Sequence, residues 1–272
     1  MRVVGRRAIT DWDRRHALLC VVGAKLQNRL AGKVAIVTGA SRGLGLAISK
    51  VFASEGATVA MFARSGDELL SAAEAAPRAL AIRCDVADPE AVRRGFAQVR
   101  DRCGGLDVLI NNAALATPQL IEEVEDSAAR REVEVNILGP LYCMREAIGM
   151  MRRRGGGDII NISSESVVSH YPYLSLYAAT KWALEALTAG ARTELRGSNI
   201  RVSTYRSGRI QSSFHHGWDP EVAAKVRAAA ADSGFVAAAG ASIDPEIPAR
   251  AMLELVLLDR TAQVDLLHLR GA

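Results

Sequence analysis

The stretch Val34-Ala35-Ile36-Val37-Thr38-Gly39-Ala40-Ser41-Arg42-Gly43-Leu44-Gly45 decides how the chain reads: a short β-branched run turns through glycines into a helical pattern, Gly45 to Ser54. Glycine permits a tight turn and a close approach of the backbone to a pyrophosphate. The helix that follows offers unpaired N–H groups and a positive dipole end to an anion. Such a turn also joins strands to helices in proteins that bind no nucleotide, so its weight comes from its place at the start of a longer pattern.

Outward from that stretch, apolar runs alternate with Ala-, Arg- and Glu-rich segments of helical period. The runs are Val34 to Thr38, Thr58 to Phe62, Leu80 to Arg83, Val108 to Ile110, Asp158 to Ile162, Ile200 to Thr204 and Val264 to His268. The helical segments between them include Pro89 to Arg102, Ala128 to Arg153, Leu176 to Leu195 and Pro248 to Leu258. The alternation predicts an α/β fold, a single Rossmann-like doubly wound domain over residues 31–272 with a seven-stranded parallel sheet flanked by helices. Residues 207–245 interrupt the rhythm with an Ala-rich helical piece, Glu221 to Ala231, between Gly, Ser and Pro, and are expected to form a substrate lid.

The second run ends Phe62-Ala63-Arg64-Ser65, where this fold usually carries an acid for the adenosine ribose hydroxyls. An Asp there would repel a 2′-phosphate, whereas Arg64 and Arg42 can bond to one, so NADP(H) is expected to be preferred, with NAD(H) still usable. Farther on, Tyr177 and Lys181 stand at i and i+4 on an expected helix, which puts both on one face. A cation beside a phenol lowers its pKa toward the working pH and suits it to acid/base work, though the same spacing occurs in surface pairs. Ser164 follows the fifth strand at the sheet edge where such folds bind ligands, and its hydroxyl could polarise a carbonyl or simply cap a helix.

Taken together, these residues resemble the short-chain dehydrogenase/reductase family over nearly all of residues 31–270. Thr38 to Gly45 is similar to its T-G-x-x-x-G-x-G loop, Asn111-Asn112-Ala113-Ala114 to its N-N-A-G segment, and Asn136, Ser164, Tyr177 and Lys181 to its catalytic tetrad. The resemblance implies interconversion of a secondary alcohol and a ketone, with Tyr177 as acid/base. Lys181 would lower the Tyr177 pKa and bind the nicotinamide ribose, Asn136 would hold a proton-relay water, and Ser164 would polarise the carbonyl. It further implies cofactor contacts from Gly39, Ser41, Arg42, Gly43, Leu44, Gly45, Arg64, Asp85 (at the adenine), Val86, Asn112, Ala113, Tyr177, Lys181, Gly208, Ile210 and Ser212. A homodimer or homotetramer formed through the helices 128–153 and 176–195 is implied as well.

The chain departs from the family pattern where Ser207-Gly208 replaces Pro-Gly, Ser212 replaces threonine, and Glu165 follows the serine. Losing the proline should loosen the loop that meets the nicotinamide. Glu165, His170, Tyr171, Tyr173, Ser207, Phe214, His215, His216 and Trp218 are candidates for the substrate pocket, which leaves cyclic, terpenoid or steroid-like and 3-oxoacyl carbonyls open. The paired histidines lack further ligands at a sensible spacing, so no metal is expected. A non-catalytic NADP(H) sensor or partner subunit is the rival reading; an idle site would have no reason to keep four catalytic roles together.

Composition supports this picture. The net charge of +4 comes from residues 1–30, with seven Lys/Arg against two Asp, while the rest carries 27 basic and 28 acidic residues, so nucleic acid is not expected as a partner. No apolar run reaches the ~20 residues needed to span a bilayer, and the four scattered cysteines suit a reducing cytoplasm, the expected location. Residues 1–30 are expected to be a poorly packed extension. They bear only a faint likeness to a signal peptide, since Asp11 and Asp13 interrupt the basic region and no cleavage site is clear.

Overall fold

The computed structural model describes residues 28–232 and 241–272. Seven strands, β1 (Val34–Thr38), β2 (Thr58–Ala63), β3 (Ala79–Arg83), β4 (Val108–Asn111), β5 (Gly157–Ser164), β6 (Ile200–Ser207) and β7 (Leu266–Leu269), form one parallel sheet. Their order is β3-β2-β1-β4-β5-β6-β7. The direction of winding therefore reverses between β1 and β4, which leaves a crevice beyond their carboxyl ends. Helices cover both faces, so central strands such as β1 are buried along their whole length and read as continuous apolar runs.

On one face α1 (Gly43–Ser54) and α8 (Glu246–Leu257) bury Ile48, Phe52, Met252 and Leu253 against Val37, Ile110 and Ile160. On the other, α3 (Pro89–Cys103) and α5 (Gly139–Arg154) bring Phe96, Val99, Met144 and Met151 onto Ile36, Leu109 and Val202. Gly95 lets α3 lie close to the sheet, because a Cβ there would stand 2.9 Å from the Phe62 ring.

The strands β5 and β6 run past their expected ends to Ser164 and Ser207, which pair directly, so the extra length carries both serines to the sheet edge. The last strand starts two residues late; the Val264 carbonyl accepts the Ser203 hydroxyl at 2.6 Å instead. A helix not expected from the sequence, α2 (Gly66–Glu74), is short and buries only Leu69 and Ala72, too few positions to give a readable period.

The helix expected over 128–153 is broken. It consists of α4 (Asp126–Val133), a π turn (Glu134–Leu138) and α5, with Gly139 N–H bonding five residues back to Glu134. Pro140 supplies the reason: it has no N–H to give to the carbonyl of Asn136 four residues earlier. The remaining long helix, α6, runs Ser175–Glu194, and α7, within the segment expected to form a lid, runs Pro220–Asp232.

Of the expected extension, residues 1–27 lie outside the described residues, while Leu30 is buried and Arg29 bonds to Glu55 and Glu254. Residues 233–240 of the expected lid also lie outside them. The described part of that segment is tied down: Ile210 and Ile243 form a parallel bridge, and Trp218 Nε1 donates to the Ala116 carbonyl at 2.9 Å. No described helix is long and apolar enough to cross a membrane.

Candidate active site

The glycine turn sits at the crevice between β1 and β4 and is locked from the β4 side. Thr38 Oγ1 accepts from the backbone N–H groups of Asn112 and Ala113, each at 2.9 Å, and Asn112 Nδ2 donates to the carbonyls of Thr38 (2.8 Å) and Gly39 (3.1 Å). Gly39 has φ +63° and a Cβ on it would lie 2.9 Å from Ala113 Cα; on Gly45 it would fall 2.3 Å from the Gly39 carbonyl oxygen. Only glycine fits there. The Asn112 side chain is thus committed to shaping the turn, and Thr38, absent from the expected contact set, is its hinge. The signal was the threonine of the T-G motif itself.

The N-terminus of α1 has no side-chain cap and no acid in its first turn, so its N–H groups remain available to an anion. Arg42, its N-cap residue, and Arg64, at the end of β2, are exposed and make no ion pair among the described residues. A carboxylate is close as well, since Ser41 Oγ lies 3.5 Å from Glu68. Leu44 is partly buried on the core, and Ser212 stands over the turn, 3.5 Å from where a Gly43 Cβ would be. The features together fit a dinucleotide: a cradle that a Cβ would fill, a bare helix end, and two exposed arginines without an ion pair among the described residues.

The other expected cofactor residues divide by environment. Asp85 bonds Ala87 N–H at 3.0 Å and pairs with Arg131 at 2.6 Å, and Val86 is buried against Gly139. Gly208 donates to Leu269, and a Cβ on it would strike Arg270 at 2.6 Å, so this glycine is required by the β7 end even though the preceding proline is missing. The Ser212 hydroxyl accepts from Phe214 N–H at 3.4 Å, just before the short 3-10 turn Phe214–Gly217.

At the same sheet edge α6 presents Tyr177 and Lys181 beside Ser164. Lys181 is 2 % exposed; its Nζ donates to the Ile162 carbonyl at 2.8 Å and lies 5.7 Å from the centre of the Tyr177 ring. Burial lowers the lysine to about 8. The phenol is not brought down as the sequence suggested: burial under Phe214, whose ring centre is 5.8 Å away, pushes Tyr177 up to about 12. The Ser164 hydroxyl pulls against that shift, while Glu132 and Tyr171 add to it. At neutral pH the pair is a protonated phenol beside a lysine that holds its proton with little to spare.

Asn136, fully buried in the π turn, bonds Leu115 on both sides: Oδ1 accepts its N–H at 2.9 Å and Nδ2 reaches its carbonyl at 2.7 Å and Thr180 Oγ1 at 3.0 Å. Thr180 in turn donates to the Tyr177 carbonyl at 2.7 Å, linking the two helices. The side chain is therefore occupied by protein.

Around this centre Phe214, His215 and Trp218 form an aromatic wall with ring centres 4.4 to 6.4 Å apart. Tyr173, at φ +66°, turns the loop before α6 and accepts Gln119 N–H at 2.9 Å. Tyr171 is pushed up to about 12 by burial and by Glu165, whereas His170 is exposed. Glu165 is buried, with one oxygen 3.5 Å from Arg270 and the other unbonded among the described residues.

A locked glycine turn at a switch point, next to a phenol, an ammonium and a hydroxyl, defines a dinucleotide-dependent oxidoreductase. The family model for short chain dehydrogenases matches residues 33–223, and the chain belongs to that family, as an NAD(P)-dependent enzyme acting on CH–OH groups. It is similar to farnesol dehydrogenase from Aedes aegypti, at 37% identity over 200 residues, 69% of this chain and 81% of that one. Among solved structures it is similar to L-sorbose reductase from Gluconobacter frateurii complexed with NADPH and L-sorbose. The TM-score is 0.77 and the identity 30%, over 89% of this chain and 96% of the other. It also resembles 3-ketoacyl-(acyl-carrier-protein) reductase from Brucella melitensis complexed with NADH, with TM-score 0.78 and 25% identity over 89% and 98% of the two chains.

The buried lysine generates a prediction. Its depressed value means that the folded chain carries the full cost of the charge below about pH 8 and is relieved of it as the pH rises toward the ordinary lysine value. Lys181→Met removes that cost, so urea unfolding at pH 7 should show the variant more stable by about 1–3 kcal/mol. The gap should shrink as the pH is raised past 8. A less stable variant, or a gap independent of pH, would show that the ammonium is well solvated in the fold.

Proposed function

We propose that the chain interconverts a secondary alcohol and a ketone, prefers NADP(H), and uses Tyr177 as its acid/base. The observation that carries this reading is the meeting of Tyr177, Lys181 and Ser164 at the carboxyl edge of the sheet, alongside the locked glycine turn. When bound, the nicotinamide exchanges a hydride with the substrate carbon; Gly39 to Gly45, Arg42 and Arg64 would hold its dinucleotide. In reduction Ser164 donates a hydrogen bond to the carbonyl oxygen and Tyr177 gives that oxygen its proton. Lys181 stabilises the resulting phenolate and, with a value near neutrality, passes a proton back to it. The Asn136 carbonyl is proposed to hold the relay water. In oxidation the phenolate takes the alcohol proton, so that direction should gain rate with rising pH.

The NADPH and L-sorbose of one structural relative support a small-molecule carbonyl substrate and a phosphorylated cofactor. An even homo-oligomer and residence in the cytoplasm belong to the same proposal; Val133, Leu141 and Trp182, large and exposed on α4, α5 and α6, support the first.

The test is a panel of ketones and secondary alcohols, including sorbitol and cyclohexanol, followed by nicotinamide absorbance. Tyr177→Phe keeps the ring and removes the proton, so turnover should fall by about 10²-fold or more with cofactor binding nearly unchanged. Near-normal turnover would sink the mechanism. For cofactor choice, one charge-assisted bond to the 2′-phosphate is worth about 1.5–3 kcal/mol, a tenfold preference or more. Changing Ala63 to Asp together with Arg64→Leu should reverse the ratio of kcat/KM for NADPH and NADH. Equal use of both by the wild type would show that Arg42 and Arg64 face only solvent.

A further inference from the structure

Successive turns of α6 are fastened to the sheet by side chains on one stripe. Lys181 Nζ donates to the Ile162 carbonyl at 2.8 Å, Glu185 accepts the Ser163 hydroxyl at 2.7 Å, and Thr188 accepts from Asn161 Nδ2 at 2.8 Å. Residues three or four apart share a helix face, so Tyr177 stands on the same stripe one turn before Lys181. The strand residues held in this way, Asn161 to Ser163, lead directly into Ser164.

Glu185 grips two strands at once. Its carboxylate also takes two N–H bonds from Arg206 on β6, Nε at 3.0 Å on the oxygen that Ser163 uses and Nη2 at 2.7 Å on the other. Ser163 and Arg206 are partners across the β5–β6 ladder, one rung before Ser164 and Ser207. The Arg206 and Glu185 side chains are only 11 % and 12 % exposed, and the guanidinium lies 6.0 Å from the centre of the Trp182 ring on the same helix.

Burying a charged pair costs desolvation that an apolar contact would avoid. What the pair adds is direction: a planar guanidinium and a carboxylate meet in one forked arrangement, and α6 cannot slide over the sheet without breaking it. A slide would carry Tyr177 and Lys181 past Ser164. We propose that Glu185 is a positioning residue for the reaction: clamped to Ser163 and Arg206, it sets how far the Tyr177 hydroxyl stands from Ser164. The inference rests on the reading of Tyr177 as the acid/base and Ser164 as the group that polarises the carbonyl.

The experiment is steady-state reduction of the best ketone of the panel by NADPH, with NADPH affinity measured by fluorescence titration, each protein being assayed well below its own unfolding midpoint. Glu185→Leu removes all three bonds. Its kcat should fall about 10-fold or more, since a misplacement of about 1 Å can cost ~100-fold, while NADPH affinity stays within about twofold. Glu185→Gln keeps an acceptor for Ser163 and for Arg206 Nε and should recover most of the lost rate. A Glu185→Leu enzyme with wild-type kcat, one that loses NADPH affinity in step with kcat, or a Glu185→Gln enzyme as slow as Glu185→Leu overturns the proposal and leaves the clamp a matter of stability. Should Glu185→Leu fail to fold, Ser163→Ala carries the test: a lower kcat with unchanged NADPH affinity supports the clamp, and an unchanged kcat overturns it. Failure of the underlying reading looks different: a Tyr177→Phe enzyme with near-normal turnover.

Discussion

The structure depends on one close approach, the packing of the Thr38–Gly39 backbone against Asn112 and Ala113 where β1 and β4 diverge. Four hydrogen bonds of 2.8 to 3.1 Å tie the two strand ends together, and the turn they enclose leaves no room for a side chain at Gly39 or Gly45. The amide of Asn112 satisfies carbonyls that a turn this tight would otherwise strand. Because the lock joins neighbours across the switch point, it fixes the start of α1 relative to the whole sheet. That helix end, bare of caps and of acids, is proposed to receive the pyrophosphate of the nicotinamide dinucleotide.

A second constraint shapes the other half of the site. Pro140 breaks the long helix into α4, a π turn and α5, and the break turns Asn136 inward where its amide closes on Leu115 and Thr180. From there the bonds continue in two directions, through Thr180 to the Tyr177 backbone and through residues 115–117 to Trp218. Trp218, the loop at residues 115–117 and the proposed acid/base thus share one polar network built on a helix defect. The electrostatic outcome is a phenol held above its ordinary value by burial next to a lysine held below its own, and the pair is proposed to exchange a proton in turnover.

Much of this was legible in the sequence because it is local. The seven strands announce themselves as β-branched runs, and β1 was placed to the residue, since a strand buried on both faces ends sharply at its glycines. The pair Tyr177 and Lys181 follows from helical spacing. What the sequence withheld depends on contacts between distant segments. The break at Glu134–Leu138 is announced by Gly139-Pro140, yet the apolar period carries on through it. The commitment of Asn112 to the turn, and the burial of Glu132 and Glu165 beside the site, are set by neighbours that periodicity cannot name. The phenol's direction of shift escapes the sequence for the same reason: spacing shows the lysine, whereas the burial that raises Tyr177 comes from the fold, with the ring centre of Phe214, nearly forty residues on, 5.8 Å away.

The central claim is that the locked turn from Gly39 to Gly45 is a dinucleotide cradle, and binding of NADPH by wild type and Gly45→Ala tests it most directly. A single methyl placed 2.3 Å from the Gly39 carbonyl must open the turn. By fluorescence titration the wild type should bind one NADPH per chain, and Gly45→Ala should bind it about 100-fold or more weakly while keeping a cooperative unfolding transition. Equal affinity in the two proteins, or no binding by the wild type, would contradict the account.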